Sequence, residues 1–98
     1  MDEKICYQGV NFEWDVDKAD ANDKKHGVEF QTAVELFFDP FLMALEDRIE
    51  EGEKRHHVIG MTKSWEILFV AFVWRGDDIR IISARLATNS ERKRYERG

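Results

Sequence analysis

Apolar and polar positions change period along this chain, and each change marks an element. Phe12 and Trp14 alternate with Asn11 and Glu13, the pattern of a half-buried strand within residues 4–14. Asp15 then reads as an N-cap for a helix from Val16 to about Lys25, with Asp17 in its first turn and Lys24 and Lys25 in its last. Its apolar face, Val16 and Ala19, is thin, so the helix lies on the surface. Gly27 is the expected left-handed residue after it. Phe30, Ala33, Val34 and Phe37 recur at helical spacing and predict a second helix over Gln31–Phe38, stopped by Asp39-Pro40.

The remainder alternates like strands. Phe41–Asp47 reads as a strand, Arg48–Lys54 as a polar turn around Gly52, and Arg55–Met61 as the next strand. Trp65–Trp74 is apolar on both faces, which suits the middle of a covered sheet. Arg75-Gly76-Asp77-Asp78 is a tight turn before a strand from Ile79 to Leu86. Thr88 and Glu91 have the spacing of a capping box, which predicts a final helix almost directly after that strand. Taking the short Phe41–Asp47 segment with the strand that follows it, the order is β-α-α-β-β-β-α. Short turns make the sheet antiparallel, packed by helices, in an α+β domain spanning residues 1–98.

Charge changes the picture at one end. Residues 79–98 hold six basic and two acidic side chains, whereas residues 1–78 hold nine basic and eighteen acidic ones. A basic strand and helix on an acidic body point to an anionic partner for that face. The overall charge of −5 argues against a uniformly basic, non-specific nucleic-acid binder. The lone Cys6 cannot form an internal disulfide, which fits a reducing cytoplasm. The longest apolar run, Ile67–Trp74, is too short to cross a bilayer, so no membrane role is expected.

Two groups of residues could carry chemistry. Lys25-His26-Gly27 places a group that titrates near neutrality beside a cation that can offset phosphate charge. Arg75, Arg80 and Arg85 offer rigid donor forks suited to phosphate. Arg80 and Arg85 are five apart, so an unbroken strand puts them on opposite faces; one site needs a bulge between them. His56 and His57 are adjacent and cannot readily chelate one ion from a strand, so no metal site is expected. Tyr95, beside Arg92, could stack on a base but reads more readily as a core anchor. Trp14, Trp65 and Trp74 read as packing residues. The alternative to an enzyme is a binding module that docks RNA or a protein through the basic C-terminal strand and helix.

The ordered set Phe12-Glu13-Trp14-Asp15, Lys18, Asn22, Lys25-His26-Gly27-Val28, Phe30, Ala33, Phe37 and Asp39-Pro40 resembles the BrnT family of bacterial type II toxins. The pattern continues through Glu53, Arg55, Ile59-Gly60, Arg75-Gly76, Ile79-Arg80-Ile81-Ile82-Ser83-Ala84-Arg85, Ala87, Glu91-Arg92 and Tyr95-Glu96. The resemblance implies a compact RelE-like fold and an endoribonuclease that cleaves RNA without a metal or cofactor and arrests translation. It implies a BrnA-like ribbon-helix-helix antitoxin in a 2:2 heterotetramer, with operator DNA contacted only through that antitoxin. Carried over by position, the site residues are Lys25, His26, Arg75, Arg80 and Arg85, with Arg92 and Tyr95 as weaker substrate contacts. The first ten residues precede the resemblance and carry no assigned role.

Overall fold

The computed structural model describes residues 1–98. The chain opens with a hairpin, β1 (Asp2–Tyr7) and β2 (Val10–Asp15), and continues into α1 (Val16–His26). A short α2 (Phe30–Ala33) tightens into a 3₁₀ turn over Val34–Phe38. Then come β3 (Met43–Ala44), β4 (Arg48–Glu50), β5 (Glu53–Met61), β6 (Ile67–Arg75), β7 (Asp78–Leu86) and α3 (Asn89–Arg97). The strands lie in the order β1-β2-β7-β6-β5-β3, with β4 also pairing to β5.

The α+β class and the capped helices agree with the sequence. The Asp15 side chain accepts from the Lys18 amide, and Gly27 follows α1 at φ 68°. Both halves of the Thr88–Glu91 capping box are present.

The expected antiparallel sheet is instead mixed. Phe12 and Glu13 pair in parallel with Ile79 and Arg80, because the chain's first hairpin joins the sheet beside its last strand. Nor is residue 4–14 one strand. Gln8 and Gly9 take positive φ of 50° and 80° and fold it into a hairpin, which gives the first ten residues a place at the sheet edge. Glu51 and Gly52 do the same between β4 and β5, so the expected polar turn is itself half strand. Phe41–Asp47 shrinks to two paired residues, leaving Phe41 exposed.

The helices cover one face of the sheet. Phe12, Trp14, Leu68, Val70, Phe72, Ile79, Ile81 and Ala84 meet Phe30, Ala33, Val34 and Leu36 there in the main core. The other face carries only α3, over a smaller cluster of Ile59, Ile67 and Tyr95. Of the three tryptophans only Trp14 is fully buried, and Trp74 packs edge-on against Phe72. Trp65 is 81% exposed at φ 67° in the β5–β6 turn, and Trp74 is half exposed beside the β6–β7 turn.

Candidate functional site

A bulge puts the arginines together. Phe72 lies opposite Ile81, but Ala71 lies opposite Ser83, so Ile82 is an extra residue in β7. Ile79, Ile81 and Ala84 therefore all face the main core. Arg80, level with Val73, and Arg85, level with Phe69, both face the side that the N-terminal helices leave open. The unbroken-strand geometry expected from their spacing does not apply. Arg75, two residues beyond Val73 on β6, shares this open face.

Each arginine is held by carboxylates of its own chain. Arg80 donates to Glu13 Oε2 at 2.6 Å and grips Asp2 with both terminal nitrogens at 3.0 and 3.1 Å. Arg85 grips both oxygens of Glu91 at 2.8 and 3.0 Å, and its guanidinium lies 4.1 Å from the Phe69 ring centre. Arg75 pairs with Glu53. The Arg80 hydrogen bond holds the Asp2 carboxyl below its usual range, and the Arg75 and Arg85 bonds do the same for Glu53 and Glu91. Hydrogen bonding by Asp2, then by Glu13, in turn raises the Arg80 pKa against its burial. These forks are extended and oriented, the state in which a phosphate oxygen could replace a carboxylate at least cost in side-chain entropy.

An open cleft of 310 Å³ adjoins them beneath α3, lined among others by Arg48, His57, Phe69, Ser90, Glu91 and Arg94. His57 Nδ1 lies 3.3 Å from the Glu46 carbonyl oxygen, which can only accept. Nδ1 is therefore the donor in this contact. No three His, Cys, Asp or Glu side chains converge into a metal site.

Lys25 and His26 sit in the last turn of α1, in the helical layer. Asn22 determines where that turn lies. Its buried amide accepts from the Ala84 N–H at 3.1 Å and donates to the carbonyls of Ala84 and Val28 at 2.8 and 3.0 Å. It thus completes the edge of β7 where β2 has diverged and holds the Lys25–Val28 corner beside the strand end that carries Arg85. The candidate residues consequently fall into two groups, Lys25, His26 and Arg85 at one end of β7, and Arg75 and Arg80 at the other.

Arg92 is exposed on α3. Tyr95 is buried and donates to Asp39 Oδ2 at 2.5 Å, so it anchors the helix and offers no free ring to a base. Arg55, two residues from His57 in β5, also faces the open side, which nothing in its local sequence marks. Nor does the sequence mark Asn22, because a lone polar residue in a polar helix carries no signal of burial.

The family described as "Ribonuclease toxin, BrnT, of type II toxin-antitoxin system" matches residues 14–91. The match takes in Lys25, His26, Arg75, Arg80 and Arg85 and stops short of Arg92 and Tyr95. The crystal structure of the Brucella abortus ribonuclease toxin, BrnT, superposes with a TM-score of 0.61 at 24% identity, over 78% of this chain and 94% of that one. That likeness is one of fold. No curated protein sequence matches the chain. No helix is long and apolar enough to cross a membrane.

Proposed function

The chain belongs to the BrnT family of type II toxin–antitoxin ribonuclease toxins, and from that premise we propose that it is a metal-independent endoribonuclease that arrests translation in the cytoplasm. The observation that carries this reading is the bulge at Ile82, which aligns Arg80 and Arg85 on one open sheet face. RNA lies along that face. Its phosphates replace the exposed carboxylates that hold the arginine forks, and Arg75 and Arg80 position the strand.

Cleavage occurs at the Arg85 end. The RNA 2′-oxygen attacks the adjacent phosphorus, the 5′-oxygen of the next nucleotide leaves, and a 2′,3′-cyclic phosphate remains. Where the RNA rounds the β7 edge beside the Lys25–Val28 corner, His26 moves the protons, and Lys25 and Arg85 stabilise the dianionic phosphorane. Arg92 adds a weaker backbone contact. Helices on one sheet face and arginines with a C-terminal helix on the other suit a RelE-like scaffold. A BrnA-like ribbon-helix-helix antitoxin covers the open face in a 2:2 assembly and alone contacts operator DNA.

The test is incubation of antitoxin-free protein with a defined RNA in EDTA, with the fragment ends mapped. Discrete cleavage with cyclic-phosphate ends is expected, lost in folded Arg85→Ala and His26→Ala variants. A folded wild-type chain that leaves RNA intact, with ribosomes also supplied, would sink the reading.

A further inference from the structure

Arg55 carries a guanidinium edge on the open face that its neighbours do not use. It donates through Nη1 to Glu50 at 2.8 Å. Its Nη2 lies 3.9 Å from Glu51, beyond hydrogen-bond distance, and its buried Nε has no partner. The Nε–Nη2 edge is the side of a guanidinium that binds an oxyanion with two parallel hydrogen bonds. A buried donor left unpaired is costly, and such a group needs a reason.

Its position supplies one. His56 pairs with Phe72, which puts Arg55 level with Val73, and Val73 is level with Arg80 on the next strand. Two inter-strand steps of about 4.8 Å separate the Arg55 and Arg80 backbones. Val73 between them is 1% exposed on an otherwise open face. Arg75 follows two residues along on the same side. The Glu53 carboxyl is held below its usual range first by its Arg75 hydrogen bond, and the charges of Arg55 and Arg80 act on it in the same direction.

We propose that Arg55, with Arg75 and Arg80, forms a three-guanidinium site for a single-stranded RNA phosphodiester, separate from the Lys25–His26–Arg85 end where cleavage is placed. The inference rests on the ribonuclease reading for its choice of ligand. Glu50, Glu51 and Glu53 are placeholders: their side chains are 47, 89 and 41% exposed and can turn into water when a phosphate arrives. The phosphate takes the Nε–Nη2 edge of Arg55 and the forks that Glu53 and Asp2 release. Glu13, only 10% exposed, stays on Arg80 and keeps it extended.

The test uses a 2′-O-methyl oligoribonucleotide, which can bind but has no 2′-hydroxyl to attack with. Its affinity is measured across a salt series for wild type, Arg55→Ala, Arg55→Lys and Glu50→Gln, each checked for folding by circular dichroism. Arg55→Ala is expected to weaken binding about tenfold or more and to make the salt slope shallower by about 0.7. Arg55→Lys keeps the charge without the fork and falls between, and it carries the comparison if the alanine variant does not fold. Glu50→Gln binds as tightly as wild type or more tightly, although it loses the same ion pair. Wild-type affinity in Arg55→Ala, equal weakening in Glu50→Gln, or no binding by wild type would each overturn the site. Unmodified RNA of the same sequence reports separately on the nuclease: binding without cleavage by wild type defeats that reading and leaves the Arg55 site standing.

Discussion

The Tyr95 hydroxyl donates to Asp39 Oδ2 at 2.5 Å across fifty-six residues of sequence, and this bond ties α3 to the segment that ends the second helix. Asp39 also accepts from the Phe41 and Met61 amides, so one carboxylate joins α3, the approach to β3 and the end of β5. Tyr95→Phe keeps the ring and removes the bond. It should cost about 1–3 kcal/mol, read as a lower urea midpoint at unchanged m-value. Wild-type stability would show that ring packing alone docks the helix.

The same pair gives stability a pH signature. Burial, then the Asp39 bond and charge, push the Tyr95 phenol up to about 12. A raised folded value favours the protonated form, so this contribution is complete below the unfolded value near 10 and is lost as pH rises towards 12. Burial works to raise the Asp39 pKa, but its hydrogen bonds from Tyr95, Phe41 and Met61 outweigh it and leave the group depressed. Its contribution is therefore present above the ordinary aspartate value and is lost as pH falls through the depressed one. Thermal melts of wild type and Tyr95→Phe should differ at neutral pH and converge above pH 12. A constant gap through that range would contradict the assignment.

Asn22 is the buried hinge of the candidate site. Asn22→Ala strands the Ala84 N–H and two carbonyls, at about 1–3 kcal/mol for each group that water cannot reach. Asn22→Asp can still accept from Ala84 but aims a negative charge at both carbonyls, so it should be the worse variant at neutral pH and regain stability in acid. Equal stability of the two at all pH values would mean that water substitutes for the amide.

Asp2 grips the Arg80 fork that a phosphate would need. Asp2→Asn weakens that grip and should raise affinity for the 2′-O-methyl oligonucleotide by up to about fivefold, with little change in melting temperature. Weaker binding would make Asp2 a support for Arg80 rather than a competitor.

Gly60 is fixed by space. A Cβ there would lie 2.9 Å from Leu42 Cδ1, 3.0 Å from Leu36 Cβ and 3.1 Å from the Leu36 carbonyl oxygen. Gly60→Ala should cost about 1–3 kcal/mol by overpacking, seen in chemical denaturation. A neutral result would show that the 3₁₀ turn over Val34–Phe38 shifts freely.

What the sequence determined by itself were the features governed by neighbours in the chain. Asp15 and Gly27 bound α1, Thr88 and Glu91 start α3, and the apolar run over residues 67–74 makes the central strand, because capping and periodicity act within a few residues. The residues in the candidate site were legible as chemistry, through an imidazole beside lysines and a strand carrying arginines. Tertiary structure decided which of them share a face. The extra residue at Ile82 is visible only against β6, since a bulge is defined by its partner strand. The parallel pairing of β2 with β7 joins segments more than sixty residues apart, which no local pattern encodes. Asn22, Arg55 and Tyr95 owe their roles to groups brought to them by folding: the open edge of β7, the guanidinia around Val73 and the carboxylate of Asp39. A polar side chain has its meaning set by what it is buried against, and only the assembled sheet and helices supply that.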